Sequence, residues 1–200
     1  MKLFYSPSSP FVRKVMACAI ARGLDQRIEK LPTNPHQSPA DLLVANPLSK
    51  VPGLVTDDGM GLFDSPVICE YLDSLGSAPT MFPPAGPARW RALRFQAMAD
   101  GIMDAAVGRR MEQGRPREDA RDTAMARQKA AVTRALDLLE SDLPGTALDI
   151  GSIAVASALG YLDFRFAAEP WREGRPKLAA WFAAMEQHPA IARTAPPPAG

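Results

Sequence analysis

The residues best suited to binding a ligand lie at the start of a predicted helix, in the string Asp64-Ser65-Pro66. Ser65 fits the N-cap, and Pro66 fits the first helical position, where a backbone N–H has no intrahelical acceptor. The third helical position is then Ile68, whose side chain cannot reach back to the N-cap backbone as a glutamate would. We therefore expect the N–H groups at this helix end to stay free for an external anion.

A second unusual feature, Val51-Pro52, precedes the short apolar run 53–56. A proline at this place cannot donate to a strand ladder and predicts a forced turn. Because X–Pro bonds favour trans by only about 0.5 to 1 kcal/mol, a tight turn can select the cis form. We expect a cis bond that aims the backbone groups of Val51 outward. With the hairpin signal Asp57-Asp58-Gly59 that follows, the stretch 46–72 predicts a ligand cradle.

The elements that must position this cradle alternate between strands and helices. Lys2–Tyr5 predicts a strand, and apolar residues at helical spacing from Pro10 to Gly23 predict a helix, with Arg13, Lys14 and Arg22 on its other faces. A second strand over 27–31, a short helix over 40–44, a hairpin and the helix from Pro66 complete a βαβαββα order for residues 1–75. That order implies parallel pairing first, then an antiparallel hairpin, with helices on both faces.

The remainder of the chain has a different pattern. Residues 76–87 contain four prolines and predict a linker, after which every predicted element is helical. Helices are expected over 89–110, 117–141 and 176–187. Thr146-Ala147-Leu148-Asp149 is typical of a capping box, with Thr146 as N-cap, opening a nearly uncharged central helix. The tail 195–200 is expected to be frayed.

Composition excludes several classes of function. The 200 residues are 46% hydrophobic and 22% charged, with a formal net charge of +1, as in an ordinary soluble globular protein. Neither a nucleic-acid partner nor a membrane is expected, because no basic surface dominates and no apolar run could span a bilayer. Cys18 and Cys69 lie in predicted helices among apolar neighbours and predict buried, reduced thiols in a cytoplasmic protein.

These elements and motifs, in this order, resemble those of the glutathione S-transferase family over nearly the whole chain. The residues that carry the resemblance are Lys50-Val51-Pro52, Asp64-Ser65-Pro66 and the Thr146…Asp149 helix start. The resemblance implies an α/β thioredoxin-like N-terminal domain (βαβαββα) at 1–75, a linker at 76–87 and an all-α C-terminal domain at 88–200. It also implies glutathione as co-substrate, and no metal.

The resemblance assigns the glutathione contacts residue by residue. Val51, ahead of Pro52, would pair through its backbone with the cysteinyl part of the peptide. Ser65 and the free N–H groups beside it would hold the γ-glutamyl carboxylate, and Asp64 or a nearby carboxylate would hold the γ-glutamyl ammonium. Lys50 would reach the glycyl carboxylate.

The activating group would lie between Ser6 and Phe11, and Ser9 is the candidate. A hydroxyl there can donate a hydrogen bond to the glutathione sulfur, which favours the thiolate and lowers its pKa. Ser8 is the nearest alternative and Tyr5 a further one, while Ser9 could also serve only as the helix N-cap. No cysteine precedes Cys18, so conjugation, isomerase or peroxidase chemistry is favoured over mixed-disulfide chemistry.

The resemblance further implies a homodimer and a hydrophobic electrophile, bound between Phe11 and the stretch 103–110. Asp100 or Asp104 could approach the partner's glutathione site, or could be ordinary charges on a helix face. The alternative to a transferase is a non-catalytic binding or regulatory module with the same fold, which need not retain a working glutathione site.

Overall fold

The computed structural model describes residues 1–76 and 79–196. Residues 77–78 of the predicted linker and 197–200 of the predicted tail lie outside the described residues. Within these ranges no helix is long and apolar enough to cross a bilayer.

The N-terminal half is built on a four-stranded sheet in the order β2-β1-β3-β4. Its strands are β1 (Lys2–Tyr5), β2 (Glu29–Pro32), β3 (Gly53–Val55) and β4 (Gly61–Leu62). Its helices are α1 (Pro10–Ala21), α2 (Ala40–Ala45) and α3 (Ser65–Leu75), with 3-10 turns at Asp25–Arg27 and Pro35–Gln37. β1 pairs with β2 in parallel, while β1–β3 and β3–β4 are antiparallel. The predicted βαβαββα order and pairing are confirmed.

Alternation along β1 explains why helices cover both faces of the sheet, since successive side chains point to opposite faces. Leu3 is fully buried in the main core with α1 and α3, whereas Phe4 packs with Leu42 and Ala45 of α2. The sheet is therefore a middle layer, and its ends are the places where loops can form a binding site.

The C-terminal half consists of helices in the described residues. These are α4 (Pro87–Glu112), α5 (Asp119–Ser141), α6 (Ile150–Arg165), α7 (Pro176–Met185) and α8 (Pro189–Ala192). Every residue of α6 from Ile150 to Leu162 is buried, which confirms it as the central helix. One hydrophobic core runs through both halves, from Leu3 to Ile191.

The cap of α6 differs from the predicted one. Asp149, not Thr146, is the N-cap, and its carboxylate accepts from the Ser152 N–H at 2.8 Å while the Ser152 hydroxyl accepts from the Asp149 N–H at 2.9 Å. The helix begins three residues later than expected because Ser152 supplies the second half of the box. The sequence pattern was misread because serine is not the usual partner at that position.

Asp149→Ala is expected to lower the free energy of unfolding by about 1 to 2 kcal/mol, because it removes the N-cap acceptor of the central helix. Thr146→Ala is the matched control, since Thr146 is exposed and lies before the helix. Urea unfolding curves of both variants check this. An equal loss of unfolding free energy in the two variants would contradict the assignment of Asp149 as the N-cap.

The charged residues on the other faces of α1 and at its C-cap are buried, which the sequence pattern did not predict. Arg13, Lys14 and Arg22 are 7%, 0% and 3% exposed. The reason is tertiary: α1 packs against α3 on one side and against α4, α6 and α8 on others, so no face is left to solvent. Gly160 of α6 is the place where this matters most, because a Cβ there would collide with the Arg13 guanidinium.

Candidate functional site

The three predicted ligand-binding segments lie at the same end of the strands of the sheet. β1 and β3 are antiparallel with Phe4 opposite Gly53, so the loop that follows β1 adjoins Val51-Pro52, which precede β3. β3 and β4 pair with Leu54 opposite Leu62, so the chain leaving β4 toward α3 reaches the same end of the sheet. The topology therefore brings together the Ser6–Phe11 loop, the Val51-Pro52 turn and the start of α3.

The Val51-Pro52 peptide bond is cis, as expected. The turn before it is held by Asn46, which is 1% exposed. The Asn46 side-chain amide donates to the Lys50 carbonyl at 2.8 Å, and its side-chain oxygen accepts from the Leu48 N–H at 3.0 Å. Sequence reasoning missed this residue, although an asparagine ahead of a proline is a known signal for a side-chain-stabilised turn.

The start of α3 corrects one prediction. Asp64 is the N-cap, with extended backbone and no side-chain capping bond, and Ser65 is the first helical residue. Pro66 consequently sits one position deeper than expected. The first N–H with an intrahelical acceptor is that of Ile68, which donates to the Asp64 carbonyl at 3.1 Å. The N–H groups of Ser65 and Val67 thus remain available to an anion, as the sequence predicted for this helix end.

Ser65 itself is only 1% exposed, and no described residue forms a hydrogen bond with its hydroxyl. A hydroxyl beside two free backbone N–H groups is a suitable receptor for a carboxylate, which can accept from all three.

Ser9 is the N-cap of α1, with φ −82° and ψ 122°. Its Oγ accepts from the Val12 N–H at 3.3 Å, and its carbonyl accepts from the Arg13 N–H at 3.0 Å. No described residue accepts the Ser9 hydroxyl hydrogen. The capping role and a donor role toward a ligand are therefore compatible, because they use different parts of the same hydroxyl.

The two alternatives to Ser9 have other contacts. The hydroxyl oxygens of Ser8 and Ser6 are 3.3 Å apart, so these two groups form a hydrogen bond with each other. Tyr5 lies in β1, and the ammonium of Lys30 is 5.4 Å from its ring centroid. Either serine can be the donor of the Ser6–Ser8 hydrogen bond, and the Tyr5 contact involves the ring and not the hydroxyl. Ser9 stays the candidate because its hydroxyl lies at the N-terminus of α1.

A cluster of charged residues adjoins the cradle and was not predicted as such. Lys14 of α1, fully buried, donates to Asp100 of α4 at 2.6 Å. Burial raises the pKa of Asp100, the charge of Lys14 opposes that shift, and the negative charges of Asp64 and Asp104 add to it. Asp104 also feels the charge of Lys50. The cluster therefore contains three carboxylates and two ammonium groups around the predicted glutathione site of the same chain.

Asp104 is exposed as a residue, and partial desolvation of its carboxylate is the largest cause of its raised pKa; Lys50 opposes the shift and Asp64 adds to it. Above this raised pKa the charged carboxylate destabilises the native state; as pH falls toward the ordinary value of 3.8, the native state takes up the proton first and the penalty is lost. Asp104→Asn is thus expected to be more stable than wild type at pH 7. The advantage should disappear in acid, which urea unfolding at several pH values will measure. A constant difference at every pH would contradict this.

The side chains of the stretch 103–110, where the electrophile was expected to bind, point in different directions around α4. Met103 is fully buried, and Arg109 turns toward the helical half, where it donates to Glu169 at 2.5 Å. Neither side chain can line a pocket beside Phe11. A cavity of about 580 Å³ borders Ser6 and Pro7 but none of the predicted glutathione contacts.

Cys18 and Cys69 are both buried and free, as predicted. Burial raises the pKa of Cys18, and the neighbouring Cys69 thiol raises it further. A thiol held protonated in this way is a poor nucleophile. These cysteines are structural parts of the contact between α1 and α3.

Comparison with known proteins decides the family. The glutathione S-transferase N-terminal domain model matches residues 8–75, and the C-terminal domain model matches 122–184. The uncharacterized GST-like protein YibF of Escherichia coli K12 is 39% identical over the full length of both chains. The chain belongs to the glutathione S-transferase family.

Solved structures of other family members agree with this fold. A glutathione transferase family member from Pseudomonas fluorescens Pf-5 with bound glutathione is 40% identical, with a TM-score of 0.92 over 98% of each chain. A glutathione S-transferase from Methylobacillus flagellatus KT with glutathione bound is 33% identical, with a TM-score of 0.88 over 98% of this chain and 99% of the other. The thioredoxin-like domain followed by a helical domain is thus the family architecture.

Proposed function

We propose that this glutathione S-transferase family member is an active transferase that joins the glutathione sulfur to a hydrophobic electrophile. The observation that carries the proposal is the free Ser9 hydroxyl hydrogen at the N-terminus of α1, beside the Val51-Pro52 turn and the open start of α3. Two segments would hold the peptide, and the third would act on its sulfur.

In this arrangement the Val51 backbone pairs with the cysteinyl residue of glutathione and Pro52 fixes the turn. The Ser65 hydroxyl and the N–H groups of Ser65 and Val67 donate to the γ-glutamyl carboxylate, with Asp64 near the ammonium. Lys50, which is exposed, reaches the glycyl carboxylate. Each end of the peptide is thereby matched by a group of opposite charge.

Ser9 then acts on the cysteinyl sulfur. Its O–H donates to the thiolate, and the partial positive charge at the start of α1 favours the same anion. The sulfur attacks an electrophilic carbon, a C–S bond forms, and the leaving group departs with the electron pair of the broken bond. The proton lost from the thiol goes to solvent.

The test is steady-state conjugation with a halonitrobenzene, together with glutathione calorimetry. We expect saturable glutathione binding and conjugate formation. Glutathione binding without turnover on a panel of electrophiles, peroxides and cis-configured conjugated enones would favour the non-catalytic module. Turnover only on peroxides or isomerisable substrates would instead assign a glutathione-dependent peroxidase or isomerase.

Three wider features belong to this proposal: a homodimer, a cytoplasmic location and a role in detoxification. The dimer follows the family resemblance, and Val44, Leu48 and Trp90, which are 87%, 61% and 70% exposed, are apolar side chains that an interface could cover. Sedimentation equilibrium would measure the mass in solution, and a monomer at micromolar concentration would remove the dimer from the proposal.

A further inference from the structure

A second cavity lies within the helical half, away from the glutathione cradle. Its volume is about 330 Å³, at the lower end of the range of small-molecule sites. It is bordered by α4, α5, the end of α6 and the segment that precedes α7. Asp104 and Arg109 are five residues apart on α4, which places them roughly 140° apart around the helix at 100° per residue. Arg109 therefore faces this cavity and not the cradle.

Arg109 is the central polar group of the cavity wall and is only 5% exposed. Its Nη2 donates to Glu169 at 2.5 Å, and its guanidinium carbon is 4.3 Å from the centroid of the Phe166 ring. Glu169 and Phe166 also line the cavity. No described residue accepts from the buried Nε of Arg109 or from its Nη1. The arginine thus has more donor capacity than its neighbours use.

The charges around the cavity leave an excess of one positive charge. Glu169 is shared between Arg109 and Lys129, whose ammonium is 3.2 Å from its second oxygen. Burial acts to raise the pKa of Glu169, but the hydrogen bonds from these two cations outweigh it and lower that pKa, so the carboxylate is ionised at neutral pH. Arg175 is neutralised by Asp137 at 2.6 Å. One cation therefore lacks a counter-charge.

The rest of the cavity lining is mostly apolar. Leu136, Leu162, Phe166 and Trp171 form its walls, and the Trp171 indole N–H is already bonded to Asp163 at 2.7 Å. Apolar walls with one charged donor at the end are typical of sites for amphipathic ligands, whose body is desolvated while the head is paired.

We propose that this cavity is a second ligand site, which takes a small carboxylate with one negative charge and an aromatic or branched apolar body. The carboxylate accepts from Nη1 of Arg109 and from Lys129, and the body packs against Phe166 and Trp171. The carboxylate neutralises the excess positive charge, and the apolar body covers the apolar wall of the cavity. The site is independent of glutathione and of its chemistry.

The probe is 4-phenylbutanoate, and the reporter is the indole N–H signal of Trp171, assigned by its loss in Trp171→Phe. We expect saturable movement of that signal in nitrogen–proton correlation spectra, while the signal of Trp90, on the exposed side of α4, stays still. The neutral analogue 4-phenylbutanol should bind at least about tenfold more weakly, because it cannot form the charge-assisted bonds. No movement with the carboxylate, or equal affinity for the alcohol, would overturn the proposal.

Variants separate binding from folding. Arg109→Gln should weaken 4-phenylbutanoate about tenfold or more, whereas Arg110→Gln, the same change at an exposed neighbour on α4, should leave the affinity unchanged. Thr133→Phe fills the cavity from an exposed position on α5 and should abolish binding even if Arg109→Gln does not fold. Unchanged affinity in Thr133→Phe would place the ligand elsewhere and overturn the assignment.

Discussion

Ser9→Ala is expected to lower the turnover number for conjugation by about tenfold to a hundredfold. A hydrogen bond to a charged group contributes about 1.5 to 3 kcal/mol, and each 1.4 kcal/mol changes a rate tenfold. The glutathione dissociation constant should change little, since Ser65 and Lys50 hold the ends of the peptide. The loss should therefore appear in kcat and only weakly in KM.

Ser8→Ala is the matched control for this variant. With Ser9 as the donor to the sulfur, Ser8→Ala removes only the contact with Ser6, and turnover should stay near that of wild type. Ser9→Ala also removes the Val12 cap, which costs about 1 kcal/mol of stability, and unfolding curves will show whether both variants remain folded at the assay temperature. Loss of turnover in Ser8→Ala alone would transfer the role to Ser8.

Lys14→Met is expected to lower the free energy of unfolding by about 3 kcal/mol, the lower end of the range for a broken buried ion pair. Methionine fills nearly the same volume, so the loss reports on charge. Without Lys14, no described residue donates to the partly buried Asp100 carboxylate, which lies near the charges of Asp64 and Asp104. A loss of this size is a large part of the 5 to 15 kcal/mol typical of a folded domain.

Two further measurements test the reason for that loss. Lys14→Met with Asp100→Leu should recover most of the stability, because an apolar pair often replaces a buried ion pair at little cost. The single variant should also regain stability as pH falls, because the raised pKa of Asp100 lets the native state bind the proton first. If Lys14→Met were as stable as wild type at pH 7, the ion pair would not hold α1 against α4.

Much of the fold followed from local patterns in the sequence. Proline and glycine positions predicted the turn at Val51-Pro52 and the hairpin at Gly59, where φ is 90°. Apolar spacing predicted α1 and α6. These features depend on backbone stereochemistry and periodicity, which act within a few residues and are therefore visible in a single sequence.

The sequence predictions were wrong about where two helices begin and about which helix faces are buried. The caps at Asp64 and Asp149 lay one and three residues from the predicted positions because neighbouring residues compete for the same role. Lys14 was placed on a face of α1 other than the apolar one, and periodicity cannot show that a second layer covers that face too. The cavity beside Arg109 could not be foreseen, because its walls come from three separate stretches of the sequence, at 109, 129–136 and 162–175.

The proposed site stabilises the thiolate of glutathione, and the pKa of the bound thiol measures this stabilisation. Ultraviolet difference titration of the thiolate absorbance, with the wild-type protein in excess over glutathione, gives that pKa. We predict a value below that of free glutathione, with most of the depression lost in Ser9→Ala. A bound thiol with the same pKa as free glutathione would contradict the account.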